Sequence, residues 1–366
     1  MRYLITVSSL TSGSGLTRYI FTLCEILIIS GNEVYVLTTH DDSTISYERR
    51  KLDTISTTIH LISLGSYGKL RKYIEEIRII KRIKPDVIIN NYNAVTQYIL
   101  PFISKAIKII HVLHNDTTDF YRVASINRCK TDGWIAPTEM IAKHFNDYTS
   151  NKFSDKVVVI PHGVEETTLI ERHNEKLEIV YTGVLYEHKG VKILPPIIRN
   201  LLDFGINLHF TIVGGGILEE WLREQFVDEI KNGIVTFTGV IDHDSVYKVM
   251  SKTDIFLYPT HLDAFGLVIA EAMMNGMVPV VTNLAGITDN LIDNGKDGYL
   301  IEQDDINSFV EIIKSLACDK TILSRVGKAA HDKAKFNLSM KKMKENYIKY
   351  LNYCINNQIC KHMTKI

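Results

Sequence analysis

The stretch Asp254–Val281 constrains the fold most, because it predicts two buried strands connected by a helix. Ile255–Tyr258 is an apolar run of strand length, and a helical pattern begins at Gly266. The helix is expected to end at Gly276, since a glycine after the last helical residue is a common terminus. Met277–Thr282 is a second apolar run of strand length. Such a strand–loop–helix–strand unit is the repeating element of a doubly wound α/β sheet.

Two acidic residues flank the turn within this unit. Asp263 comes just before the helix, and Glu271 lies within it. The backbone N–H groups of Phe265, Gly266 and Leu267 are expected to be free at the helix N-terminus, which suits a diphosphate. An anion held there, between carboxylates that accept hydroxyl hydrogen bonds, would make a site for a sugar nucleotide. The residues also allow a structural interpretation, in which Asp263 is a loop or capping acid and Glu271 a solvated helix residue.

The rest of the chain continues the alternation of strands and helices in two series. The first series opens with a strand, a loop that contains Gly13 and Gly15, and a helix. This loop lacks the spacing of a dinucleotide fingerprint, so no nicotinamide cofactor is expected. The polar run Glu165–Lys176 is typical of a linker. We therefore expect one doubly wound domain over residues 1–165 and a second over residues 166–340.

The composition excludes several classes of protein. Lys and Arg total 42 and Asp and Glu total 42, so the charge balance points neither to nucleic acid nor to a strongly acidic partner. The 5 cysteines are scattered without a CxxC motif, which fits reduced thiols and neither a disulfide framework nor a zinc site. Apolar stretches are too short for a membrane span, and the run after Arg2 is too short for a signal peptide. We expect a cytoplasmic protein.

Three further features allow two interpretations each. The helix expected around Lys69–Lys84 is basic and amphipathic, so it either lies on an anionic membrane or is the solvated outer helix of an α/β domain. His114 follows a buried strand, where such sheets bind ligands, and is either a site residue or a structural one. The triplet Asp242-His243-Asp244 resembles a divalent-cation site, but it precedes a helix and is expected to cap it, so we predict no metal.

Several motifs of the chain resemble those of the retaining family 4 glycosyltransferases. The family's two acids, eight residues apart, correspond to Asp263 and Glu271 in the segment PTHLDAFGLVIAEA. Shorter matches follow the family's order along the chain: GSG in the first loop, IPHGV at the linker, TGVL followed by Lys189-Gly190, IVGGG and FTG. The resemblance covers most of the chain and is strongest over residues 179–300.

The resemblance implies the GT-B fold, in which two Rossmann-like doubly wound domains face each other across a cleft. It also implies that a C-terminal helix within residues 341–366 packs back on the N-terminal domain. The second domain would bind a UDP- or GDP-sugar donor, and the first a glycan or lipid-linked acceptor. The expected activity is retaining transfer in capsule, O-antigen or lipopolysaccharide biosynthesis, without a cofactor or metal, at the inner face of the plasma membrane.

The same resemblance implies roles for individual residues. The catalytic residues near the reacting sugar would be His114 and Asp263. The donor-binding residues would be Gly13, Gly15, Gly183, Lys189, Phe265, Gly266, Leu267 and Glu271. Of these, Glu271 would bind the ribose hydroxyls, and Lys189 would bind the diphosphate together with the N–H groups at the start of the helix.

The chain departs from the family pattern at three positions. Asp263 is one methylene shorter than the usual glutamate, and Ala264 replaces the usual glycine. Val184 stands where the family commonly has an arginine on the diphosphate. These departures leave open a non-catalytic partner of another transferase that binds glycan or nucleotide. An epimerase acting on a nucleotide sugar would need acid and base carboxylates in the first domain, where the sequence offers no clear candidates.

Overall fold

The computed structural model describes residues 1–11, 15–40, 59–170, 172 and 175–356. The chain forms two compact units. The first comprises Met1–Gly163 and the chain from Met340, and the second comprises Val164–Ser339. Each unit is built on a parallel sheet, and helices follow most of its strands in the described residues, so the predicted doubly wound α/β class is confirmed.

The described residues of the first unit form a parallel sheet of seven strands. These are β1 (Arg2–Val7), β2 (Glu33–Thr38), β3 (Ile59–Ser63), β4 (Val87–Asn91), β5 (Lys108–Val112), β6 (Gly133–Ala136) and β7 (Val157–Val159). The helices up to this point are α1 (Gly15–Ile29), α2 (Lys69–Ile83), α3 (Ala94–Ile99), α4 (Thr118–Ser125) and α5 (Glu139–Tyr148). The strand order is β3-β2-β1-β4-β5-β6-β7, so the connection reverses direction between β1 and β4. Ligands of such sheets bind at the carboxyl ends of the strands near this reversal.

The described residues of the second unit form a parallel sheet of six strands. These are β8 (Leu177–Thr182), β9 (Leu208–Val213), β10 (Val235–Gly239), β11 (Ile255–Tyr258), β12 (Val278–Thr282) and β13 (Tyr299–Ile301). The helices are α6 (Leu194–Asp203), α7 (Glu219–Gln225), α8 (Val227–Lys231), α9 (His243–Met250), α10 (Leu267–Met274), α11 (Thr288–Leu291), α12 (Ile306–Cys318) and α13 (Lys320–Asn337). The order is β10-β9-β8-β11-β12-β13, so the reversal lies between β8 and β11. The stretch that constrained the prediction forms β11, α10 and β12 at this point.

The last described helix, α14 (Met340–Ile355), belongs to the first unit. Its Tyr347 hydroxyl lies in hydrogen-bonding contact with the Tyr19 hydroxyl of α1, and its Tyr350 hydroxyl donates to the Lys156 carbonyl oxygen at 2.7 Å. Buried side chains of α14 pack into the core formed by α1 and the sheet. The predicted segment 341–366 also includes residues 357–366, which lie outside the described residues. No helix in the described parts of the chain combines the length and apolar character needed to cross a bilayer.

Candidate functional site

A lysine and an aspartate are paired beside the carboxyl end of β11. The Lys189 ammonium lies 3.0 Å from Asp263 Oδ2, and it donates a second hydrogen bond to the Leu262 carbonyl oxygen at 2.8 Å. Lys189 ends a 3₁₀ turn and is followed by Gly190, whose φ of 65° is left-handed. A Cβ at Gly190 would overlap the Pro259 carbonyl oxygen. Only glycine therefore lets the lysine turn pack this closely against the end of β11.

The Asp263 carboxylate caps the turn that leads into α10. Its Oδ1 accepts the N–H groups of Ala264 at 2.8 Å, Phe265 at 3.3 Å and Gly266 at 3.0 Å. The expectation that the N–H groups of Phe265 and Gly266 are free is therefore wrong for this structure. The physical reason is the short aspartate side chain, which folds back onto its own backbone as in an Asx turn. Leu267 is the first residue of α10.

The second oxygen of Asp263 is also fully engaged. Oδ2 accepts hydrogen bonds from Lys189 Nζ and from the Tyr258 hydroxyl at 2.9 Å. Burial acts to raise the pKa of Asp263, but the Lys189 charge and the hydrogen bonds outweigh it and lower the pKa below its usual value. Asp263 is therefore an anion whose two oxygens accept five hydrogen bonds, a set that a bound substrate would have to rearrange.

Glu271 lies on α10 with only 7% of its surface exposed, so it is not a solvated helix residue. Its Oε1 accepts a hydrogen bond from Nε2 of His243, the first residue of α9, at 2.9 Å. The neighbouring Asp242 accepts the Ser245 N–H at 2.9 Å and the Ser245 hydroxyl at 2.8 Å, and so caps α9 as expected. Within the described residues, no cluster of three His, Cys, Asp or Glu side chains could hold a metal ion.

Sequence reasoning missed the part that His243 plays. The available signal was its position at the start of the helix that follows β10, because this start and the start of α10 both lie at the carboxyl ends of the strands. Gly183 and Val184 follow β8 at this edge, where the Gly183 N–H donates to the Val213 carbonyl oxygen at 3.0 Å. Val184, at the position of the missing arginine, is 42% exposed. The edge therefore presents an apolar side chain where the family pattern has a cation.

His114 follows β5 in the first unit and is held by its neighbours. Its Nε2 lies 2.8 Å from Asn91 Oδ1, and its ring packs edge-on against the Tyr19 ring with centroids 4.8 Å apart. Burial, followed by the nearby imidazoles of His162 and His111, lowers the pKa of His114 well below its usual value. The ring is therefore neutral at pH 7. An Nε2–H donated to the amide oxygen leaves Nδ1 as the acceptor.

Of the two glycines predicted to lie in the first loop, the structure describes Gly15 and not Gly13. Gly15 is the first residue of α1, and a Cβ there would meet no atom of the described residues within 4 Å. Gly13 lies outside the described residues. The structure thus joins Lys189, Asp263 and the α10 turn in one hydrogen-bonded cluster and pairs Glu271 with His243, while His114 and Gly15 belong to the first unit.

Two families of known proteins match the chain, one over most of each unit. The family Glycosyltransferase Family 4 matches residues 13–168, and the family Glycosyl transferases group 1 matches residues 166–333. A capsular polysaccharide biosynthesis glycosyltransferase, CapM of Staphylococcus aureus, is 27% identical over 157 residues, which are 42% of this chain and 40% of CapM. The matched part of the chain thus spans about two fifths of the length of that relative. The O-antigen chain mannosyltransferase C of Escherichia coli is 22% identical over 315 residues, 79% of this chain and 78% of that protein.

The fold matches solved glycosyltransferase structures over nearly the whole chain. Anabaena HepE, solved in complex with UDP and glucose, superposes with a TM-score of 0.77 and 15% identity, covering 96% of this chain and 99% of HepE. At that identity the likeness shows the fold alone. Together with the two adjoining family matches, it identifies the chain as a member of the family 4-like glycosyltransferases with the two-domain GT-B fold.

Proposed function

We propose that the protein is a retaining glycosyltransferase that moves a sugar from a UDP- or GDP-sugar to a glycan or lipid-linked acceptor in surface polysaccharide biosynthesis. The observation that carries this proposal is the Lys189–Asp263 pair at the start of α10, with the buried Glu271 on the same helix. The names of the capsular and O-antigen relatives support the biosynthetic setting. The UDP bound to HepE supports a nucleotide-sugar donor.

Charge stabilisation of the leaving diphosphate would come from protein groups without a metal or cofactor. Lys189 supplies an ammonium, and the N-terminus of α10 supplies the positive end of a helix dipole. The diphosphate would compete with Asp263 for both, which would release the Asp263 carboxylate to accept hydrogen bonds from the donor sugar. The neutral His114 would contact the sugar near its reacting carbon. The acceptor hydroxyl would attack from the face that the diphosphate leaves, and the diphosphate oxygen would take the proton, so that the configuration is retained.

A second candidate function is nucleotide or glycan binding without transfer. It is favoured by the engagement of both Asp263 oxygens within the protein and by the apolar Val184 at the edge of the site. A site that lacks the arginine gives up a charge-assisted hydrogen bond to the diphosphate. In this case donor would bind but would not turn over.

The test is a panel of UDP-, GDP- and ADP-sugars, assayed for binding by calorimetry and for hydrolysis or transfer. Replacing Glu271 with Ala should weaken binding of the preferred donor by roughly tenfold or more, since it removes a buried carboxylate that accepts ribose hydroxyl hydrogen bonds. Glu178→Ala is the matched control, because Glu178 also pairs with a histidine but lies near the amino end of β8. Binding without turnover of any sugar would favour the second candidate. Absence of binding by every donor would overturn both the transferase and the nucleotide-binding candidate.

We also propose that α2 brings the protein to the anionic inner face of the plasma membrane. The outer surface of α2 exposes Leu70 by 80% and Ile74 by 51%, and Phe102, which follows α3 in the same unit, is 72% exposed. The same helix carries several cations, among them Lys81 and Arg82 in its last turn. Exposed apolar side chains among cations are the pattern of an interfacial helix.

A further inference from the structure

We propose that His243 positions the Glu271 carboxylate and thereby makes the nucleotide site selective for ribose over deoxyribose. This inference rests on the proposed function, in which Glu271 accepts hydrogen bonds from the ribose hydroxyls. His243 would touch neither the sugar nor the diphosphate, so it is a positioning residue.

The two carboxylate oxygens of Glu271 have different environments. Oε1 of Glu271 lies 2.9 Å from His243 Nε2, and the two side chains are exposed by only 9% and 22%. A carboxylate only accepts, so Nε2 is the donor. Oε2 of Glu271 makes no hydrogen bond within the described part of the chain. One oxygen is thus held by the protein while the other is left for a ligand hydroxyl.

The imidazole is itself fixed in place. His243 is the first residue of α9, whose start is capped by Asp242, and its ring packs against the Tyr247 ring with centroids 4.6 Å apart. Its Nδ1 is shielded from solvent and has no hydrogen-bond partner among the described residues. The only hydrogen bond that the structure gives this ring is therefore the one to Glu271. Burying a polar ring whose one hydrogen bond goes to a site carboxylate fits a positioning role better than a structural one.

The chain offers a matched pair for comparison. His209 Nδ1 lies 2.9 Å from Glu178 Oε2, the same distance as in the His243 pair. His209 also uses its second nitrogen, which lies 2.9 Å from Thr236 Oγ1. Both residues of this pair lie near the amino ends of β8 and β9, whereas α9 and α10 begin at the carboxyl ends of the strands. His209→Ala therefore removes an equivalent contact away from the site.

The experiment measures the dissociation constants of UDP and 2′-deoxy-UDP, and of GDP and 2′-deoxy-GDP, for the full chain. Five proteins are compared: wild type, His243→Ala, His243→Gln, His209→Ala and Glu271→Ala. Gln places an amide N–H where Nε2–H stood, so it can restore the bond. We expect His243→Ala to weaken ribonucleotide binding by about tenfold, the loss typical of a hydrogen bond to a charged group. Binding of the deoxy form should change by less than about twofold, because the 2′-hydroxyl, which the proposal assigns to Oε2 of Glu271, is absent.

The outcomes separate this inference from the function on which it rests. Recovery of the ribose preference in His243→Gln, with His209→Ala like wild type, supports it. Equal weakening of ribo- and deoxyribonucleotide binding in His243→Ala overturns it, since that is the result of a general structural defect, and so does unchanged binding of both. If wild type binds ribonucleotides but Glu271→Ala does not alter the ribose preference, the inference fails while nucleotide binding stands. If wild type binds no nucleotide, the proposed function fails first.

Discussion

Glu76 is a carboxyl group enclosed in the first unit, on the inner face of α2. It is 0% exposed, its Oε1 accepts the Thr96 hydroxyl at 2.5 Å, and its Oε2 has no partner within the described residues. Burial raises the pKa of Glu76 to about 8, although the Thr96 hydrogen bond acts to lower it. The neutral form therefore predominates at pH 7. The basic, amphipathic pattern of α2 does not show this, because helical spacing alone does not tell which acid faces the core.

Replacing Glu76 with Gln should remove a contribution to stability that falls as the pH rises. The folded state raises the pKa from an unfolded value near 4.5 to about 8, so the wild-type contribution is fully present below pH 4.5 and is lost as the pH rises to 8. The slope in that window is up to about 1.4 kcal/mol per pH unit. Gln cannot ionise, so the variant should lose this slope.

Denaturant unfolding between pH 5 and pH 8, followed by fluorescence, measures the effect. A Trp221→Phe background leaves Trp134, buried in the first unit, as the remaining one of the chain's 2 tryptophans. Glu75→Gln is the control, because Glu75 is paired with Arg78 at 2.7 Å and lies on the neighbouring position of the helix. The same pH dependence in Glu76→Gln and in wild type would show that the carboxyl group is already ionised in the folded protein.

Two buried histidines of the first unit have the opposite effect on the pH dependence of stability, since their contribution increases as the pH rises. Burial lowers the pKa of His111 to about 4, against a weaker raising effect of the Val112 carbonyl, and it lowers the pKa of His162 to about 3. Their folded pKa values lie below the unfolded value of about 6.5, so their contribution is present above that pH and is lost as the pH falls below it. The stability of the first unit should therefore decline on both sides of an optimum.

At the scale of elements, the strands could be predicted because each is a short apolar run between turn residues. Ile255–Tyr258 is bounded by Pro259, and the structure gives β11 the same bounds. Strands buried on both faces need no alternation, so composition alone indicates them. The 3₁₀ turn of Lys189 was not indicated by periodicity. Its form depends on the contact between Gly190 and Pro259, residues far apart in sequence.

Two glycines should respond differently to replacement with Ala. Gly190→Ala forces a Cβ into the Pro259 carbonyl at a left-handed φ of 65°, so the second unit should lose about 1–3 kcal/mol of stability or more. Gly15→Ala adds a Cβ that meets no described residue at the start of α1, so thermal unfolding should be unchanged. If the absence of a side chain at Gly15 lets the donor phosphate approach the backbone, Gly15→Ala should nevertheless reduce donor turnover.

Thermal unfolding and donor hydrolysis, measured on both variants, check this contrast. Full activity in Gly15→Ala would remove Gly15 from the donor site, whatever its place in the family motif. A Gly190→Ala variant as stable as wild type would show that the lysine turn can move away from β11.

At the scale of the whole molecule, the candidate site required information that residue patterns do not contain. Lys189 and Asp263 are 74 positions apart, and only the family resemblance placed them together. His243 and Glu271 are 28 positions apart, and no pattern indicated that pair. The sequence left open whether Asp263 is a loop acid or a ligand-binding one, because its hydrogen bonds to the turn before α10 depend on the side-chain rotamer and not on spacing. Local sequence patterns thus predicted the sheets, but contacts between residues far apart in sequence determine which side chains form the candidate site.

The formal net charge of the chain is zero, so any attraction to an anionic membrane must come from the distribution of charge. The neutral Glu76 leaves Glu75 as the acid among the cations of α2, and it is paired with Arg78. Cations near an anionic surface contribute about 1 kcal/mol each, and this contribution is screened by salt. The exposed Leu70 and Ile74 would add an apolar contribution that salt does not screen.

Charge reversal on α2 should therefore release the protein from membranes, and an equal reversal elsewhere should not. Replacing Lys81 and Arg82 with Glu should weaken binding to vesicles of phosphatidylcholine mixed with phosphatidylglycerol by at least about tenfold, from the loss of two attractive charges. Replacing Lys341 and Lys349 of α14 with Glu changes the net charge equally at exposed positions of the same unit. Co-sedimentation with these vesicles, and with phosphatidylcholine alone, measures both variants. Equal loss of binding in the two would mean that net charge governs the attraction, and retention by the α2 variant would mean that α2 is an ordinary solvated helix.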